Sequence, residues 1–166
     1  LLTKNHVYSK EMEHDACGVG LIASTEGKKS RAIVEYGIEA LKAVWHRGAV
    51  DADGKTGDGA GIHVEIPKDF FIEKIQVTGH DYDNSEICVG MIFLPRNDYS
   101  AQENCKTIVE SELTKNNFSI YGWRQVPVNP KVLGEKALQT MPEIIQVLFK
   151  SNDPNLLDKN LERKIY

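Results

Sequence analysis

The sequence predicts a mixed domain in which strands and helices alternate in layers, of the α/β or α+β class. Three observations carry this expectation. Apolar residues recur at three- and four-residue steps over 31–45, marking one face of a helix. Strand-like apolar runs at 62–66, 87–94, 118–128 and 143–149 alternate with further helical stretches. Between the first helix and the strand at 62–66 lies "GAVDADGKTGDGAG" (48–61), whose five glycines and three aspartates can form little but a loop.

The elements follow in order. Residues 1–16 form a polar leader, and 18–24 read as a buried strand through Val19, Leu21 and Ile22. A turn at 25–29 ends at Ser30, a residue type suited to a helix N-cap. The helix from Arg31 carries Ile33, Val34, Ile38, Leu41, Val44 and Trp45; His46 and Arg47 suit the negative end of its dipole, and Gly48 stops it. Residues 62–66 alternate apolar with polar until Pro67, and 76–86 are polar turn material. A strand at 87–94, a helix at 101–116 carrying Ile108, Val109 and Leu113, and a strand at 118–128 come next. A helix near 135–139, a strand at 143–149 and a helix after Asp153-Pro154 complete the chain.

At 166 residues the chain is long enough to bury a core. Twenty basic and 24 acidic residues give a net charge of −4, with no basic surface for a polyanion, so nucleic acid is not an expected partner. The longest apolar runs fall far short of a membrane span, and the leader lacks the apolar centre of a secretion signal. The expected compartment is therefore the cytoplasm or an organelle stroma, with no membrane partner. Cys17, Cys88 and Cys105 are an odd number at wide spacing, which fits neither a disulfide framework nor a zinc site. Reduced thiols and no bound metal are expected.

Three familiar motifs fail on named positions. Gly18, Gly20 and Ala23 match a relaxed dinucleotide fingerprint, but the strand follows the glycines where it should precede them. Gly54-Lys55-Thr56 matches the tail of a phosphate-binding loop, yet Ala49 replaces its first glycine, and Asp51 and Asp53 would repel phosphate. A calcium loop from Asp51 would need an oxygen ligand at Lys55 and a glutamate at Ile62.

Cys17 stands apart. Glycines at 18 and 20 remove side-chain bulk beside the sulfur, but no histidine is arranged as an obvious base. Cleavage between Ala16 and Cys17 would supply one. The new α-amine, with an ordinary pKa of about 8, would sit on the same residue as the thiol and could take its proton, as in N-terminal nucleophile enzymes. The leader 1–16 would then be a propeptide.

At these residues a resemblance emerges. "CGVGLIA" followed by "ALKAVWHRGAV" resembles the opening of class II glutamine amidotransferase domains. The longer "HRGAVDADGKTGDGAGIHVEIPKDFF", with "IFLPRND" and "IYGWRQVPV", is similar to the N-terminal glutaminase domain of glutamate synthase large subunits; the likeness runs from about His14 to Tyr166, and 17–166 would be the first part of that domain. The resemblance implies an α+β N-terminal nucleophile hydrolase fold, a four-layer αββα sandwich of which this chain would be the first part. It implies attack of the Cys17 thiolate on L-glutamine, a γ-glutamyl thioester, and release of ammonia for reductive amination of 2-oxoglutarate to glutamate. Arg47 would support the nucleophile, with His46 and Gly48 in the same motif, and Thr56, Gly57, Asp58 and Gly59 would form a loop near the site.

The family's Asn-Gly pair for the oxyanion hole occurs nowhere in the sequence. Its substrate clamps, FMN and iron-sulfur segments are likewise expected beyond Tyr166, so no cofactor is expected within these residues. Downstream synthase domains, and a nicotinamide-linked small subunit or ferredoxin, are the implied partners. The chain alone, with its leader attached and its oxyanion donors elsewhere, is expected to be inactive. Two other readings share the motifs: a noncatalytic or regulatory module, and another class II amidotransferase. The "DADGKTGDGAG" segment argues against the latter.

Overall fold

The computed structural model describes residues 18–44, 50–57, 59–156 and 158–165. The leader, Cys17, His46, Arg47, Gly48 and Asp58 lie outside the described residues. The chain divides into two compact units, Leu1–Val64 and Glu65–Tyr166.

In the first unit the regular element is helix α1, Arg31–Ala43. Ser30 occupies its N-cap in extended backbone (φ −153°) but its hydroxyl makes no capping hydrogen bond. An exposed Arg31–Glu35 pair at 3.1 Å spans the first turn, and the Val44 N–H closes the last by donating to Ala40 O at 3.2 Å. Ile33, Val34, Ile38 and Leu41 share one half-buried face, as their spacing requires. Two expected strands are absent. Residues 18–24 and 62–66 form no ladder, and Val19 and Leu21 are 91% and 89% exposed where burial was expected. An alternating apolar run becomes a strand only when a neighbour pairs with it, and none does among the described residues.

The second unit opens with α2, Lys68–Val77, a helix not expected from the sequence, whose last two residues fall in the 76–86 segment expected as turn. Pro67 precedes it and Asp69 suits the positive end of its dipole. Phe71 and Ile75, one helical turn apart, are buried. Strand β1 is Cys88–Leu94, followed by α3, Tyr99–Lys115. Asp98 caps α3 by accepting from Ala101 N at 2.9 Å. The buried Gln102 amide donates to Pro95 O at 2.6 Å, tying the helix start to the end of β1. Strand β2, Phe118–Gln125, then leads through a short 3-10 turn, Pro130–Val132, to α4, Glu135–Thr140. Strand β3, Glu143–Ser151, and α5, Asp158–Ile165, complete the unit.

The sheet order is β1-β3-β2, with β3 antiparallel to both neighbours. The parallel pair β1 and β2, linked through α3, is thus split by the later strand. One sheet face carries Cys88, Val147 and Phe149 against Val109 and Leu113 of α3 and Leu161 of α5. The other carries Tyr121 and Leu148 against Phe71 and Ile75 of α2. A bulge makes this possible: Ile120 pairs with Phe149 and Gly122 with Leu148, so Tyr121 is the extra residue. Gly122 has φ +146°, and a Cβ there would meet Thr78 Cγ2 at 2.9 Å. Only glycine lets the end of α2 seat against the bulge.

The α+β class is therefore present, as one three-stranded antiparallel sheet with helices.

Candidate active site

Of the expected site residues, Thr56, Gly57 and Gly59 are among those described, and they sit in or beside a compact turn. Val50 and Gly57 form an isolated antiparallel bridge. Within it the Asp51 N–H donates to Thr56 O at 2.7 Å and the Gly54 N–H to Asp51 O at 2.9 Å. Gly54 takes φ +68°, which the turn requires.

Asp53 organises this turn, a role the sequence reading missed. Its Oδ1 accepts from the Lys55 N–H at 2.9 Å and the Thr56 N–H at 2.7 Å, and its Oδ2 accepts from the Thr56 hydroxyl at 2.5 Å. The aspartate three residues ahead of a threonine, with glycine between, is the sequence signal for such a turn. The carboxylate that counted against phosphate thus serves as an internal acceptor. Thr56 is half-buried while Gly57 and Gly59 are exposed, and Gly59 takes φ +94°. Cys17, His46, Arg47 and Gly48 contribute no described geometry.

A Cβ added at Gly20 would meet nothing within 4 Å among the described residues, while Cys17 itself lies outside them.

The other two cysteines are distinguished by environment. Cys88 is buried in the sheet, and burial, with Glu86 adding to it, pushes its thiol up to about 11. Such a thiol is a poor nucleophile near neutral pH. Cys105 lies half-buried on α3. Among the described residues no three His, Cys, Asp or Glu side chains gather to hold a metal. Cys88 is buried within the sheet and Cys105 lies on α3, and no third thiol joins them among the described residues, so these residues do not fit an iron-sulfur cluster. No helix among the described residues is long and apolar enough to cross a membrane.

A catalytic-domain class follows from comparison with known sequences. The profile of the class II glutamine amidotransferases matches residues 17–166, and the chain belongs to that family. More particularly, it is 54% identical over 165 residues to the NADPH glutamate synthase large chain of Azospirillum brasilense, covering 99% of this chain and 11% of that protein. It is 38% identical over 167 residues to a ferredoxin-dependent glutamate synthase of Pyropia yezoensis, covering 100% and 10%. An NADH glutamate synthase of Saccharomyces cerevisiae is 35% identical over 173 residues, covering 98% and 8%. The chain thus spans about a tenth of the length of the curated relatives it matches.

Proposed function

We propose that these residues are the nucleophile-bearing part of the glutaminase domain of a glutamate synthase. The observation that carries the reading is the family match, which begins at Cys17 and runs to Tyr166. In this reading residues 1–16 are a propeptide and 17–166 the first part of the amidotransferase domain. The complete domain is the four-layer αββα sandwich, to which the described sheet and helices contribute a portion.

After cleavage before Cys17, its α-amine takes the thiol proton and the thiolate attacks the side-chain amide carbon of L-glutamine. The proton passes to the leaving nitrogen, ammonia departs, and a γ-glutamyl thioester remains. Water, deprotonated by the same amine, attacks the thioester; glutamate leaves and the thiol is regenerated. Two modest barriers replace the single high barrier of amide hydrolysis. Arg47, with His46 and Gly48, supports and orients this chemistry, and the loop of Thr56, Gly57, Asp58 and Gly59 borders it. The Asp53 clasp on Thr56 supports that placement, because a loop fixed by its own side-chain acceptors can present backbone groups in one arrangement.

The ammonia then serves amination of 2-oxoglutarate elsewhere in the longer protein, where FMN and an iron-sulfur cluster belong; no step on those groups involves these residues. The electron donor is a nicotinamide-linked small subunit or ferredoxin, and the setting is cytoplasm or plastid stroma. Plastid relatives at 39% and 38% identity support the latter. Separated from the rest, the chain is inactive, since losing one oxyanion donor costs about 100- to 1000-fold.

The test is alkylation of the full-length protein by a glutamine-analogue electrophile, with mass spectrometry of the modified peptide. Label on Cys17 blocked by L-glutamine is expected; label elsewhere, or none, overturns the reading.

A further inference from the structure

We infer that His80 is held in one neutral tautomer, with its proton on Nδ1, and that the Nε2 atom this leaves free is a modification site for acylating electrophiles. The inference uses no residue of the proposed catalytic machinery and stands independently of that reading. It begins at the end of α2, where Thr78 and His80 share too few protons for any other arrangement. The Thr78 hydroxyl lies 2.6 Å from Ile75 O, and the Thr78 N–H donates to the same oxygen at 3.0 Å. His80 Nδ1 lies 3.1 Å from the Thr78 hydroxyl oxygen. A hydroxyl has one proton to give. Given to Nδ1, it would leave two oxygens 2.6 Å apart with no hydrogen between them, closer than oxygens approach without a shared proton. The proton therefore goes to Ile75 O, and the bond to His80 needs a proton on Nδ1. The lone pair of the neutral ring is then on Nε2.

The surroundings keep that lone pair presented. Gly79 turns the chain with φ +83°, its N–H donating to Gln76 O at 3.0 Å. Thr78 is seated by the β2 bulge, where its Cγ2 comes within 2.9 Å of the place a Cβ would take at Gly122. The Tyr121 ring meets the imidazole near edge-on, with centres 6.1 Å apart and planes at 76°. Further along the loop, Asp83 is fastened by the Tyr121 hydroxyl and by Lys150, so the chain is held on both sides of His80. His80 is nevertheless exposed, and its Nε2 has no hydrogen-bond partner among the described residues.

An acyl donor reacts by attack of the Nε2 lone pair on its carbonyl carbon, and the leaving group departs with the electrons of the bond that breaks. The ring returns to neutrality by losing the Nδ1 proton to that leaving group. Nδ1 is then an acceptor, and the single Thr78 proton can serve either Nδ1 or Ile75 O, not both. Acylation of His80 thus takes apart the side-chain cap at the end of α2, and removal of the acyl group restores it.

The test treats the full-length protein with diethyl pyrocarbonate at low stoichiometry, which transfers an ethoxyformyl group and releases carbon dioxide and ethanol. Mass spectrometry is expected to find His80 labelled at no less than about a tenth of the rate of free N-acetylhistidine, as an exposed Nε2 lone pair requires. Hydrogen exchange over 75–80 is expected to run about five- to tenfold faster in the labelled protein, where one capping bond is lost. Hydroxylamine, which removes the group, is expected to reverse this. Thr78→Val keeps the shape and removes the shared proton, so His80 should label as before with no further change in exchange over 75–80. Labelling of His80 below about a tenth of the reference rate, labelling that leaves wild-type exchange unchanged, or an equal rise in exchange in Thr78→Val overturns the inference.

Discussion

The Tyr121 hydroxyl donates a hydrogen bond to Asp83 Oδ1 at 3.1 Å, joining the β2 bulge to a loop 38 residues earlier in sequence. Lys150 on β3 meets the other oxygen of that carboxylate, and its Nζ lies 5.6 Å from the centre of the Tyr121 ring. Ser85 N–H closes the loop onto Oδ1 at 3.2 Å. The Lys150 ammonium and the Ser85 contacts hold the Asp83 carboxyl well below the usual carboxylate range. Burial, then the bond to Asp83, pushes the Tyr121 phenol well above its ordinary value.

Each shift gives its own group a direction of pH dependence. Asp83 binds its proton more weakly folded than unfolded, so its contribution is complete above about pH 4 and fades as pH falls below that. Tyr121 holds its proton more strongly folded, so its contribution is complete below about pH 10 and fades at higher pH. Asp83→Asn is expected to cost about 1 kcal/mol at neutral pH, since the pair is partly exposed. It should also flatten the acid limb of a denaturation-midpoint profile. An unchanged acid limb would show that Asp83 is not the group responsible.

Gly122→Ala is expected to destabilise the protein by about 1–3 kcal/mol, because alanine disfavours positive φ and its Cβ would crowd Thr78. Thr78→Ser removes the crowding methyl but keeps the hydroxyl that donates to Ile75 O. The double variant should recover the steric part and leave the backbone part. Urea midpoints of the four proteins in this cycle measure the two separately.

Asp53→Ala removes three acceptor contacts from the 50–57 turn. Amide exchange at Lys55 and Thr56 should rise clearly, and if the turn borders the catalytic cysteine, ammonia release by the full-length enzyme should fall about 10- to 100-fold. Faster exchange with unaltered turnover would place the turn away from the chemistry.

Thiol reactivity should follow burial. At pH 8 only about a thousandth of Cys88 is thiolate, given its pKa of about 11. Iodoacetamide on the native protein is therefore expected to spare Cys88 until denaturant is added. Labelling of Cys88 in the native state would mean that this face of the sheet opens readily.

Much of the fold was legible where a segment satisfies its own pattern. The places of β1, α3, β3 and α4 follow from apolar period and bounding turns, all local signals, although α3 starts at Tyr99 behind an Asp98 cap and not at the expected 101. Helix α2 escaped notice because Phe70, Phe71 and Ile72 crowd three apolar residues together and blur its period, although Pro67 marks its start. The strands expected at 18–24 and 62–66 failed for a different reason: pairing is non-local, and alternation at Val19, Leu21, Ile62 and Val64 shows only that a strand could form given a partner. The candidate nucleophile rests on Cys17 and its flanking motifs alone, while the turn at Asp53 is signalled by the Gly54 and Thr56 that follow it, and coordinates are what tell its internal acceptor from a ligand.

The most direct measurement is N-terminal sequencing of the purified full-length protein, paired with ammonia release from L-glutamine by wild type and by Cys17→Ala. Cysteine as the first residue, with loss of at least about a thousandfold in the variant, is the expected result. An active protein that retains Ala16, or undiminished ammonia release with alanine at position 17, would contradict the proposed mechanism.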